Sequence, residues 1–230
     1  MQGKLIVFEG VEGCGKTTQL QLLQQYLKER LCRPASFAAA DCPIFVTREP
    51  GGTALGKALR QLLLAPEDSS TISADANVTI QPVTELLLYA ADRAQHVMAQ
   101  LQPELSKGSI ILCDRYTDST VAYQGFGRGL DRTLIDSLNQ IATAGLQSDL
   151  TLWLDLDVEQ SLSRARQRGK SDRMEQSGID FHRRVRDGFA ALASAYPGRI
   201  VRVDASGSID EVADAIQQIV QQRLERWQRL

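Results

Sequence analysis

The chain has 230 residues, 43% apolar and 23% charged, which is long enough for one sizeable core and too ordinary in composition for a disordered protein. Its formal net charge of −2 lacks the basic surplus of an obligate nucleic-acid binder. No apolar run approaches the ~20 residues needed to span a bilayer, so no membrane partner is expected.

The first apolar run, Leu5–Phe8, comes too early to leave room for a signal peptide. It leads into Gly10-Val11-Glu12-Gly13-Cys14-Gly15-Lys16-Thr17, which fits G-x-x-x-x-G-K-[ST], and then into Thr18 and a helical stripe of Leu20, Leu23, Leu27 and Leu31. Strand, glycine loop and helix are the context that pattern requires. The glycines let successive N–H groups turn inward on phosphate oxygens, and the helix start adds the positive end of its dipole. Lys16 brings a point charge to the β- and γ-phosphates of ATP, and the Thr17 hydroxyl suits the Mg2+ that ATP carries.

Cys32–Pro43, with two prolines and an alanine run, reads as a surface loop before the strand Ile44–Val46. A helix over Leu55–Leu64 precedes a second polar loop, Pro66–Pro82, and a helix over Leu86–Met98. Both helices carry more apolar residues than one face needs, which leaves a surface for self-association. Ile110–Cys113 is an apolar strand delivering Asp114 at its end. There the carboxylate can hold a metal-bound water, anchor Arg115, or simply cap the strand.

After the strand Leu150–Leu154, five basic residues crowd together: Arg164, Arg166, Arg168, Lys170 and Arg173, beside Gly169. Such a cluster in a near-neutral protein suits a small polyanion and reads as a lid over about 164–175. A fifth strand, Ile200–Val203, leads to Ser208-Ile-Asp-Glu211, a capping box, and a last helix with Val212, Ile216, Ile219, Val220, Leu224 and Trp227 on one face.

Short, near-continuous apolar runs between helical segments are what strands buried on both faces require. The expectation is an α/β fold, a three-layer α/β/α sandwich on a five-stranded parallel sheet of the P-loop NTPase kind, forming one domain over 1–230. Cys14, Cys32, Cys42 and Cys113 show no C-x-x-C pair, so they predict a reduced, cytoplasmic protein without a zinc site.

A P-loop alone says only "nucleotide". There is no N-K-x-D, and the only D-x-x-G, Asp204–Gly207, follows the fifth strand, so a GTPase is disfavoured. Arginines at 48, 93, 115 and 164–173 suit a reaction in which many phosphate charges converge. That leaves a kinase of small nucleotides, with a P-loop switch or regulatory ATPase as the other class.

The sequence is similar to the bacterial thymidylate kinases across essentially the whole chain. The resemblance rests on Phe8–Thr18, Thr47-Arg-Glu-Pro-Gly-Gly-Thr53, Leu88-Tyr-Ala-Ala-Asp-Arg93, Asp114-Arg-Tyr-Thr-Asp-Ser-Thr-Val-Ala-Tyr-Gln-Gly125 and Arg164-Ala-Arg-Gln-Arg-Gly169. It implies transfer of the γ-phosphoryl of Mg-ATP to dTMP by a homodimer. It places Gly10 to Thr18 on ATP, with Arg164 and Arg173 assisting. It makes Lys16, Arg115, Arg168 and Glu12 catalytic, and puts Thr17 and Asp114 near the metal. Tyr89 matches the aromatic stacked on thymine (packing in the core is its other reading), and Arg93 the residue on the base edge. Arg48 and Arg115 match groups on the acceptor phosphate. Ser119, Thr120, Tyr123 and Gln124 match positions around base and sugar, Tyr123 crowding a ribose 2′-OH. Some members carry an arginine where this P-loop has Gly13, so the missing charge is expected from the basic segment, first from Arg168, with Arg164 and Arg173 as alternatives.

Overall fold

A computed structural model describes residues 3–31, 44–65, 80–167, 169, 173–174 and 176–228. The chain starts with β1 (Lys4–Glu9), α1 (Lys16–Leu31), β2 (Ile44–Arg48) and α2 (Ala54–Leu64). It continues with α3 (Pro82–His96), α4 (Gln102–Ser106), β3 (Ile110–Asp114), α5 (Thr117–Thr120) and α6 (Arg132–Thr143). Then follow β4 (Leu150–Asp155), α7 (Val158–Gln167), α8 (Ile179–Ala195), β5 (Ile200–Asp204) and α9 (Ile209–Gln228).

All five expected strands form one sheet in the order β2-β3-β1-β4-β5, every neighbouring pair parallel. The apolar runs fail to alternate because both faces are covered. Leu5, Val7, Ile111 and Cys113 pack with Val97, Leu101 and Tyr116 on one side. Ile6, Phe8 and Leu112 belong to the larger cluster that contains Leu20, Leu23 and Leu27 of α1 and Ile216, Val220 and Leu224 of α9. With β1 central, the chain visits β2 and β3 on one side and then crosses to β4 and β5 on the other. Loops leaving β1, β3 and β4 therefore meet at one edge of the sheet, where open α/β sheets hold ligands.

The helices differ from expectation at α3. Pro82, read as the end of a loop, is instead its first residue; a proline lacks only an N–H that the first turn leaves unpaired anyway. The helix also runs beyond Met98. It widens to a π turn over Val97–Leu101, where the Gln102 N–H bonds to the Val97 carbonyl, and continues as α4. The wide turn comes just ahead of Pro103, whose ring would clash with the carbonyl four residues back in a regular helix. A second π segment, Val121–Gly127, extends α5 and carries Tyr123 and Gln124. The capping box of α9 forms as read: the Ser208 N–H donates to Glu211 Oε2 at 2.8 Å, and the Glu211 N–H to Ser208 Oγ at 3.3 Å.

Cys14 and Cys113 are free and buried, while Cys32, Cys42 and most of the two polar loops lie outside the described residues. No helix among the described residues is long and apolar enough to cross a membrane.

Candidate active site

A cavity of about 640 Å³ opens where the loops after β1 and β3 diverge. One end of it is the P-loop. Gly13 and Gly15 have φ of 83° and 95°, the left-handed region that side chains disfavour. At Gly15 an added Cβ would meet nothing within 4 Å, so conformation alone demands glycine; at Gly13 it would stand 2.1 Å from the Ser161 carbonyl of α7. The arginine that some thymidylate kinases carry at the Gly13 position therefore has no room here. Lys16 is buried, and its Nζ donates to the carbonyls of Gly10 at 3.1 Å and Val11 at 2.9 Å. The Thr17 hydroxyl faces Asp114 Oδ2 at 3.4 Å, whereas Asp114 Oδ1 is buried without a hydrogen-bond partner.

The other end is a wall of side chains. Arg115 follows β3 with φ 70°, an unusual value for a residue with a side chain, and its N–H bonds to the Phe8 carbonyl at 3.0 Å. Its guanidinium reaches back across the cavity. Nη1 donates to Gly10 O (3.0 Å) and Ser119 Oγ (3.1 Å); Nη2 donates to Glu12 Oε2 (2.7 Å) and the Tyr123 hydroxyl (3.0 Å). The cost of a carboxylate in a phosphate loop is thus met by Arg115. Arg115 is not anchored on Asp114, one of the options the sequence left. The Tyr123 ring lies under that guanidinium at 4.9 Å and is held edge-on by Phe181 and Phe189.

Arg93 is 2% exposed and spends four N–H donors on the protein: Nε to Glu49 Oε2, Nη1 to Thr120 Oγ1 and Asn139 Oδ1, and Nη2 to the Tyr116 carbonyl. A guanidinium has five, so one remains for a ligand. Glu49 is shared with His96, whose Nδ1 lies 2.8 Å from Oε1 and whose Nε2 meets the Thr47 hydroxyl at 2.7 Å. Beside them, Asp92 accepts the Gly51 N–H through Oδ1; burial, with Glu49 adding to it, pushes its carboxyl up to about 6.

Of the residues singled out from the sequence, those at 12–18 line this cavity, as do Arg48 and Tyr89 from β2 and α3. So do Arg93, Asp114, Arg115, Ser119, Thr120, Tyr123 and Gln124, together with Arg164 from α7. Gly10 and Val11 contribute only behind it, through the carbonyls that hold Lys16. Arg173 is not among the residues lining the cavity: its side chain is buried, donating to the Leu63 carbonyl and ion-paired with Glu85. Gln124 donates to the same Glu85, which takes one of its two amide N–H groups. Arg168 lies outside the described residues.

Sequence reasoning passed over the β5–α9 turn. Ala205, Gly207, Ser208 and Ile209 wall the cavity beside the P-loop, and Gln19 of α1 ties them there by donating to the Ile209 carbonyl at 2.9 Å. The signal was the D-x-x-G of Asp204–Gly207, set aside because it sits in the wrong place for a GTPase. Glu49 and Asp92 were also missed, although each stands next to an arginine already named.

A P-loop and an arginine-lined wall facing each other across one nucleotide-sized cavity, on a parallel sheet, define a P-loop nucleotide kinase. Residues 8–216 match the family model for thymidylate kinase. A thymidylate kinase of Cyanothece sp. is 58% identical over 237 residues, covering 99% of this chain and 97% of that one. One from Trichodesmium erythraeum is 55% identical over 231 residues, with 99% of each covered. The crystal structure of thymidylate kinase from Ehrlichia chaffeensis is similar with a TM-score of 0.73 at 31% identity, covering 96% of this chain and 100% of that one. The chain belongs to the thymidylate kinase family, and it is a phosphotransferase.

Proposed function

We propose that this chain moves the γ-phosphoryl group of ATP to dTMP, giving dTDP and ADP, with the donor bound on the P-loop and the acceptor against the Arg115 wall. The observation that carries this reading is the single cavity shared by Lys16, Arg115, Arg93 and Tyr89. An oxygen of the dTMP phosphate forms a bond to the γ-phosphorus in line as the bond to the β,γ-bridging oxygen breaks. Lys16 exchanges its loop carbonyls for phosphate oxygens, and the amides of residues 13–18 hold the donor. Arg115 and Arg48 hold the acceptor phosphate, with Glu12 near it and the sugar. Tyr89 stacks on the base, the remaining Arg93 N–H reaches the base edge, and Ser119, Thr120, Tyr123 and Gln124 shape the sugar side. The acceptor oxygen is already ionised, so no general base is assigned. Charge on the transferring group is assigned by family resemblance first to Arg168, with Arg164 and Arg173 as alternatives, and the basic segment over about 164–175 is read as a lid.

The unpartnered Asp114 Oδ1 and the Thr17 hydroxyl fit the side of a Mg2+ brought in with ATP. Bound there, the ion would neutralise β- and γ-phosphate charge. Among the described residues no cluster of three or more His, Cys, Asp or Glu forms a metal site of its own, so the triphosphate must supply ligands. We also place the protein in the cytoplasm as one domain and as a homodimer. Leu55 of α2, Leu87 of α3 and Met98 beyond it are 52%, 50% and 61% exposed, an apolar surface suited to a second copy.

The deciding experiment measures ADP formation with and without dTMP. Turnover should need the acceptor and be far slower with uridine, cytidine, adenosine or guanosine monophosphate. ADP released at the same rate without any acceptor means a switch or regulatory ATPase instead.

A further inference from the structure

Glu9 has no exposed surface, and none of the roles above uses it. It stands where the two ends of the cavity separate. Phe8 is in register with Asp114, where β3 ends and the chain turns towards α5; Glu9, the last residue of β1, stays in register with Trp153 of β4 before the chain enters the P-loop. Glu9 Oε1 accepts the N–H groups of Tyr116 (2.8 Å) and Ser119 (3.1 Å), and Oε2 accepts the Ser119 hydroxyl at 2.5 Å. That hydroxyl in turn accepts Arg115 Nη1, and the same guanidinium closes the ring on Gly10 O and Glu12.

The arrangement has a purpose that packing does not explain. An apolar side chain at position 9 would fill the space without desolvating a charge. It would also strand three donors, the Tyr116 and Ser119 N–H groups and the Ser119 hydroxyl, in the interior. Those groups flank Arg115, the residue held at φ 70°. Bonds to β1 on either side, Arg115 N–H to Phe8 O and Tyr116 N–H to Glu9, clamp the unusual backbone; the Ser119 hydroxyl then aims the side chain.

We propose that Glu9 is a positioning residue for the acceptor end, fixing through Ser119 the direction in which Arg115 presents its guanidinium to the acceptor phosphate. Glu9 is not among the residues that line the cavity. The inference rests on the assignment of Arg115 to that phosphate. Burial raises the Glu9 carboxyl to about 7, opposed by Arg115 and reinforced by Asp118, so Glu9→Gln copies a form that the folded protein already tolerates.

In Glu9→Gln one amide oxygen still serves the two N–H groups. The amide nitrogen, however, now donates towards the Ser119 hydroxyl, which can no longer give its proton there while accepting from Arg115. The expected result is a KM for dTMP raised about 10-fold and a lower kcat, with the KM for ATP within twofold, the signature of a small misplacement at one substrate only. Glu9→Asp, which keeps the charge, should recover part of the loss and serves if the glutamine variant folds poorly. Ser119→Ala combined with Glu9→Gln should cost less than the sum of the two, because both act on one relay.

Arg115→Ala is measured alongside. If it leaves the dTMP KM unchanged, the acceptor assignment itself falls. If it raises that KM while Glu9→Gln changes nothing, or changes both substrates' KM equally, the positioning role alone is overturned. Additive Ser119 and Glu9 effects overturn the relay.

Discussion

At the end of the cavity proposed for the donor, the groups on offer to an anion are main-chain amides of consecutive residues and one lysine held by its own loop's carbonyls. At the acceptor end they are two arginines already bonded to carboxylates from other elements: Arg115 to Glu12, and Arg93 to Glu49. The first is a local structure that folds wherever a strand, a glycine loop and a helix follow one another. The second exists only if β1, β2, α3 and α5 arrive together. Its arginines are charges taken out of water and compensated in advance, a costly arrangement that fixes geometry before any ligand arrives.

That contrast predicts stability effects at one end and rate effects at the other. Arg93→Ala should show the largest change, lowering the unfolding free energy by about 3–5 kcal/mol in urea titration, since Glu49 loses its buried cation and keeps only His96. A loss below about 1 kcal/mol would mean that the acceptor wall is not pre-locked by that pair. Lys16→Ala should do the reverse. Its kcat should fall about 10²–10³-fold, with a melting temperature close to wild type, because only two carbonyls and the Cys14 sulfur, all within one loop, lose a partner. Normal ATP turnover in that variant would remove Lys16 from the donor site.

The smallest effect is in pH. Glu9 is raised from 4.5 to about 7 by burial, so the folded protein holds this proton more tightly than the unfolded chain. Its contribution to stability is complete below 4.5 and disappears as pH rises through 7. Between pH 4.5 and 7.5 the wild type should therefore lose up to roughly 3 kcal/mol more stability than Glu9→Gln. Parallel curves would mean that Glu9 is not buried as a carboxyl with a raised pKa.

The same contrast explains what could be read in advance. The P-loop and the five strands are legible because their information is contiguous: a spaced glycine–lysine pattern, and apolar runs with no solvent face to force alternation. The start of α3 at Pro82 and the π turns at Val97–Leu101 and Val121–Gly127 were not legible, since letters alone do not separate a proline that ends a loop from one that begins a helix. The partnership of Glu9 with Ser119 spans 110 positions, and that of Glu85 with Arg173 spans 88. Arg173 was read as a ligand contact because it sits in a basic cluster; nothing local announces that a buried glutamate on α3 claims it. The residues of the cavity were largely recognisable, then, but the carboxylates that orient them were not.

The backbone at Arg115 carries a consequence for anyone trying to make a hardier version of this protein. At φ 70° the main chain would be more comfortable with glycine, so a substitution chosen on conformational preference alone would single out this position for improvement. Such a variant would relieve the backbone but leave Glu12 without its cation and Gly10 O, Ser119 Oγ and the Tyr123 hydroxyl without a donor, so it should be less heat-tolerant and, on the proposed assignment, lose its hold on the acceptor phosphate. Backbone preference and side-chain bonding pull in opposite directions at this residue, and a stabilisation campaign should leave it untouched.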